Sequence, residues 1–95
     1  MSDFLLRLYI AGKSPSSQRA QSNLPALRGL VGPEWKIEII DVLTSPELAE
    51  KSGILATPTL SYEHSERRPR RVIGDLSDAK RVLEFLGIEA KEQYA

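Results

Sequence analysis

The chain has 95 residues, 41% of them apolar, with 13 Lys+Arg against 13 Asp+Glu and therefore no formal net charge. A chain of this length supports one domain with a small core, because separate cores arise only at roughly two to three times the length. Zero net charge gives no bulk attraction to nucleic acid or anionic lipid, and the lack of cysteine excludes disulfides, thiolate metal sites, iron–sulfur clusters and thiol redox chemistry together.

No apolar run approaches the roughly 20 residues that cross a bilayer, and no basic-then-apolar leader opens the sequence, so a cytoplasmic chain without membrane association is expected. Phe4 to Ala11 is an almost unbroken apolar run ended by Gly12, which predicts a strand covered on both faces. Ser14-Pro15 then places a cap residue before a proline at the first helical position, and Ala20, Leu24, Leu27 and Val31 recur at helical spacing. Pro25 falls inside that helix, where the missing N–H predicts a kink. After the Gly32-Pro33 stop, Trp35 to Val42 predicts a second strand with apolar residues on both faces. Two strands joined by a helix make a right-handed parallel unit.

The second half reads differently. Thr44-Ser45-Pro46-Glu47 carries helix-start signals, but Ser52-Gly53 follows so soon that only about two turns fit, from Pro46 to Lys51. Leu48 is expected to pack beneath this helix, with Glu47, Glu50 and Lys51 facing outward. Ile54 to Tyr62, a polar stretch from His64 to Pro69, and Arg70 to Ile73 suit an antiparallel hairpin with a loose turn. Ser77 is placed to cap a last helix, with Asp78 at its positive end, Ala79, Val82, Leu83 and Leu86 as the inward stripe, and Gly87 as the stop. Residues 89–95 read as a frayed tail. The predicted order is βαβαββα, an α/β fold with a mixed four-stranded sheet and helices on both faces, as in thioredoxin-like proteins. The resemblance to that architecture implies a cis peptide before Pro58.

In such a sheet a redox pair would sit between Lys13 and Ser17, but serines stand there, and a hydroxyl cannot exchange disulfides. Gly12-Lys13-Ser14 imitates the end of a phosphate-cradling loop. The match fails, because Arg7 stands where the first glycine belongs and Pro15 removes an N–H donor. His64, the only histidine, lacks a placed partner and reads as a solvated loop residue. Arg67, Arg68, Arg70 and Arg71 form the densest charge cluster. A charged edge that resists aggregation and a contact with an acidic protein both fit it; with only Tyr62 as an aromatic neighbour, nucleic acid does not.

Taken together, Leu8-Tyr9-Ile10-Ala11-Gly12, Ser14-Pro15-x-Ser17-x-Arg19-Ala20, Ile40-Asp41-Val42-Leu43, Pro46-x-Leu48-Ala49-Glu50, Ile54-Leu55-Ala56-Thr57-Pro58-Thr59-Leu60 and Arg70 to Asp78 resemble the KaiB circadian-clock family from about Phe4 to Leu83. The resemblance implies a non-enzymatic regulator, without cofactor or metal, that binds the hexameric KaiC ATPase and modulates its phosphorylation cycle. KaiA and histidine kinases are implied as further contacts. It also implies two folds: a tetramer with a different element order in its second half, and a thioredoxin-like monomer that binds KaiC. Carried onto this sequence, Arg19, Arg71 and the helix of Pro46, Glu47, Leu48, Ala49, Glu50 and Lys51 are the implied partner-binding residues.

The chain departs from the family pattern at Gly53, where clock members carry a lysine, in the arginine-rich turn, and at Phe85 and Gly87, where they carry glycine and aspartate. Glycine inside a helix costs about 0.5–1 kcal/mol relative to alanine, so the Phe85 and Gly87 pattern is expected to favour the last helix and the fold-switched, monomeric state. The alternative expectation is a KaiB-like signalling or stress-response domain acting on a histidine kinase outside the clock.

Overall fold

Period-two alternation in the first strand sorts the whole molecule into two sides. In the computed structural model, which describes residues 4–91, the elements are β1 (Leu5–Ile10), α1 (Pro15–Leu30), β2 (Lys36–Asp41), α2 (Pro46–Lys51), β3 (Thr59–Glu63), β4 (Arg70–Ile73) and α3 (Ala79–Leu86). They form one four-stranded sheet in the order β2-β1-β3-β4. β1 runs parallel to β2 and antiparallel to β3, and β4 returns antiparallel to β3. This is the expected thioredoxin-like βαβαββα order.

Leu6, Leu8 and Ile10 of β1 are buried with Ala20 and Leu27 of α1, Leu60 of β3, and Val82, Leu83 and Leu86 of α3. A fully buried leucine contributes about 1.5–3 kcal/mol, so this side carries most of the apolar stabilisation. Leu5, Arg7 and Tyr9 point to the other side. There α2 approaches, and Tyr9 is wholly buried, its hydroxyl donating to Ser52 Oγ at 3.2 Å.

Local chemistry fixes the element ends. Ser14 Oγ accepts the Ser17 N–H at the start of α1, with Pro15 at the first position. The helix runs through Pro25 as one 16-residue element; Pro25 is exposed, while Ala20, Leu24 and Leu27 hold both halves against the core. At α3 the cap is Asp78, not Ser77: the Asp78 carboxylate accepts the Arg81 N–H at 3.2 Å and the helix begins at Ala79. Gly87 ends it in the left-handed conformation at φ 75°, where a side chain would be strained.

Several other expectations change. β2 is an edge strand, so its apolar run is only partly covered and Ile39 is 48% exposed. The third strand begins at Thr59 rather than Ile54, leaving residues 54–58 as a loop that ends in a cis Thr57–Pro58 bond. The tail does not fray at residue 89. Ile88 is buried, Ala90 packs on the core, and the Lys91 N–H donates to the Leu30 carbonyl at 2.8 Å; residues 92–95 lie outside the described residues. Among the described residues no helix is long and apolar enough to cross a membrane.

Candidate functional site

α2 is too short to stabilise itself, since isolated helices need roughly 12–15 residues, and its anchoring defines the surface it presents. Pro46 stands at its first position and Glu47 in its first turn, both suited to a helix start. Ser45 precedes it without a side-chain cap bond. Its C-terminus is closed by backbone bonds from Ser52 to Leu48, Gly53 to Glu50 and Ile54 to Ala49, all at 2.9–3.1 Å. Ala49, not Leu48, is the residue buried beneath it; Leu48 is half-buried. Pro46, Glu47, Glu50 and Lys51 face solvent.

Two side chains tie α2 to the sheet through Ser52. Tyr9 reaches Ser52 Oγ from β1, and Arg71 Nη2 of β4 donates to the Ser52 carbonyl. Arg71 Nε also donates to Ser61 Oγ at 3.3 Å, and that hydroxyl donates to Glu63. Farther along the same side, Arg7 lies between Glu38 at 2.9 Å and Glu63 at 3.6 Å, with Lys36 at 3.3 Å from Glu38. The hydrogen bond from Arg7 holds the Glu38 carboxyl below the usual carboxylate range, and the same bond raises Arg7. This side of the sheet is thus a polar network with α2 at one end.

A KaiB domain family model matches residues 7–88. The chain belongs to the KaiB family. The circadian clock oscillator protein KaiB of Synechococcus sp. (strain CC9311) is 49% identical over 84 residues, covering 84% of this chain and 67% of that protein. Its counterpart in Parasynechococcus marenigrum (strain WH8102) is 48% identical over 84 residues, covering 84% and 77%. Among solved structures, mitochondrial thioredoxin 3 of Saccharomyces cerevisiae superposes with a TM-score of 0.73 at 18% identity, covering 92% of this chain and 79% of that one. Fasciola hepatica thioredoxin gives 0.71 at 19%, covering 87% and 77%. These likenesses show the thioredoxin-like fold.

In this KaiB-family chain the junction that would hold a redox pair is sealed by serines instead. Ser17, wholly buried, accepts the Ala11 N–H at 3.0 Å and the Ser14 hydroxyl at 2.8 Å. Gly12 turns beside it at φ 55°, close enough to Leu43 that a Cβ would sit 2.9 Å from its methyl, while Asp41 Oδ1 accepts the Gly12 and Leu43 N–H groups.

The residues singled out from the sequence do not all meet. Arg71 joins α2, whereas Arg19 stands on α1 across the sheet, paired with Asp75 at 3.3 Å next to the Asn23 contact to the Asp75 carbonyl. Phe85 is 64% exposed on α3, with the Arg81 guanidinium 5.8 Å from its ring centre. Leu43, Leu55 and Ile73 are exposed apolar side chains that nothing in the sequence pattern marks as surface residues. Leu55 is 97% exposed on the loop that borders a groove of about 460 Å³ with Val42, Pro46, Ala49 and Glu50. The helix-start signals marked α2, but Leu55 read as a strand residue because the strand was expected to begin five positions earlier.

Proposed function

We propose that this KaiB-family chain is a non-enzymatic, clock-type regulator that docks on a KaiC-like hexameric ATPase and modulates its phosphorylation cycle, with KaiA or a histidine kinase as further contacts. The observation that carries the reading is the anchoring of α2. Tyr9 and Arg71 fix its C-terminus from beneath, so Pro46, Glu47, Glu50 and Lys51 meet a partner as a preorganised row with little ordering entropy still to lose. Leu55 beside them supplies the apolar anchor that such interfaces place among polar contacts. The relatives named as clock oscillator proteins support the same assignment.

The binding form in this reading is the thioredoxin-like monomer, with a tetramer as the alternative fold. Phe85, which carries the Arg81 contact, and Gly87, in the left-handed cap, both favour α3 and hence the monomer. Arg19, on the far side of the sheet, serves a second contact with the assembly.

The test is binding to a KaiC-type hexamer with ATP present, followed by calorimetry or pull-down. Leu55→Ser is expected to weaken it by about tenfold, the effect of losing one interface anchor of more than 1 kcal/mol. No association of the unaltered chain at high micromolar concentration with any cognate KaiC-type hexamer rejects this partner, and association with a histidine kinase alone moves the chain outside the clock.

A further inference from the structure

The arginine-rich turn between β3 and β4 is absorbed neither by the core nor by α2. Tyr62, His64, Arg67, Arg68 and Arg70 line, with Leu86 and Gly87, an open cavity of about 150 Å³. That is well above the ~10–15 Å³ needed to hold one water and leaves room for a small polyatomic anion. No carboxylate lines it, and among the described residues none of its three arginines has an ion-pair partner, whereas Arg7 has two and Arg19 has one.

Arg70 and His64 are placed by their surroundings. Side chains alternate along a strand, and Arg70, opposite Tyr62, projects to the side of the sheet away from α2. Its Nη1 lies 2.6 Å from the position a Cβ would take on Gly87, so glycine at the cap admits the guanidinium. The C-terminus of α3, where the last carbonyls gather negative potential, favours a cation at that place. His64 Nδ1 accepts the Glu66 N–H at 3.1 Å, which leaves the other ring nitrogen to carry the proton as a donor. Its ring stands edge-on to Tyr62 at 6.0 Å. Three guanidinium groups in one turn repel one another, and a dianion among them relieves that repulsion with forked, charge-assisted hydrogen bonds.

We infer that the β3–β4 turn is a phosphoryl-binding pocket, in which Arg67, Arg68 and Arg70 with His64 hold an inorganic phosphate or the phosphate of a small phosphomonoester. A turn that serves only to keep the sheet edge in solution has no need of a cavity without carboxylates, and it would respond to any anion alike.

The experiment is a titration of the full chain with inorganic phosphate and, separately, with O-phosphoserine, followed by amide and arginine side-chain NMR shifts, with sodium chloride at matched ionic strength as the reference. Saturable shifts at millimolar ligand, confined to residues 62–71 and Gly87, are expected. Saturation with both ligands identifies the phosphoryl group itself as what is held; saturation with O-phosphoserine alone assigns the pocket to phosphomonoesters. Arg67→Gln and Arg70→Gln are each expected to weaken binding by about tenfold, the effect of one charge-assisted bond. Arg81→Gln, an equal loss of charge away from the pocket on α3, leaves it unchanged. Shifts that chloride reproduces, or that persist in the doubly substituted R67Q/R70Q chain with its other amide signals intact, overturn the assignment.

Discussion

Arg7 and Glu38 show how a single pair gives the molecule a pH response. Their side chains are 27% and 29% exposed, so the pair contributes less than about 1 kcal/mol. The Glu38 carboxyl is held below its ordinary value by the hydrogen bond from Arg7. The folded state therefore releases this proton at lower pH than the unfolded chain, and stability rises with pH across the interval between the two values. The contribution is complete above the ordinary glutamate value of about 4.3 and is lost as pH falls through the depressed one. In urea unfolding, Glu38→Gln is expected to be less stable than the unaltered chain at pH 7, with the difference closing in acid. Ser17 makes a larger prediction. Its hydroxyl is the acceptor for the buried junction of β1 and α1, and Ser17→Ala leaves the Ala11 N–H unpaired at a cost of about 1–3 kcal/mol, read as a lower urea midpoint. The sequence showed a hydroxyl incapable of disulfide exchange here, but not this duty, because the Ala11 donor lies outside the helix that carries Ser17.

At the scale of elements, most of the fold was legible where apolar spacing and punctuation agreed. α2 lies from Pro46 to Lys51 as its leading proline and the Ser52-Gly53 stop indicated, although Ser45 makes no side-chain cap bond, and the α3 stripe of Val82, Leu83 and Leu86 is buried. The failures are of another kind. β2 has the composition of a covered strand, but whether a strand has one neighbour or two depends on sheet order, which no local window contains. Ser77 and Asp78 are both good caps, and the difference of one residue was settled by the Arg81 N–H coming within reach of Asp78. Asp78→Ala is accordingly expected to cost about 1 kcal/mol and Ser77→Ala a few tenths, compared by chemical denaturation. At the other end of α3, Gly87→Ala should cost about 1 kcal/mol through its left-handed backbone, although it adds helix propensity. Of the candidate site, α2 and Arg71 could be read and do adjoin; Leu55 could not, since its exposure follows from where β3 starts.

At the scale of the whole molecule, the Cα radius of gyration of 12.9 Å matches the ~12.5 Å expected of a single compact chain of this length. Under the proposed monomeric form, small-angle scattering of the isolated protein is expected to return a one-chain particle whose size does not change with concentration, and a four-chain particle would overturn that proposal. The asymmetry of the molecule matters as much as its size. One side of the sheet is an apolar core roofed by α1 and α3; the other is a hydrogen-bonded polar lattice that α2 covers only in part. β4 belongs to both. Arg70 and Arg71 are consecutive, yet one leans over the end of α3 while the other grasps the end of α2. Sliding this edge strand by a single residue would send each of the two arginines to the opposite side of the sheet.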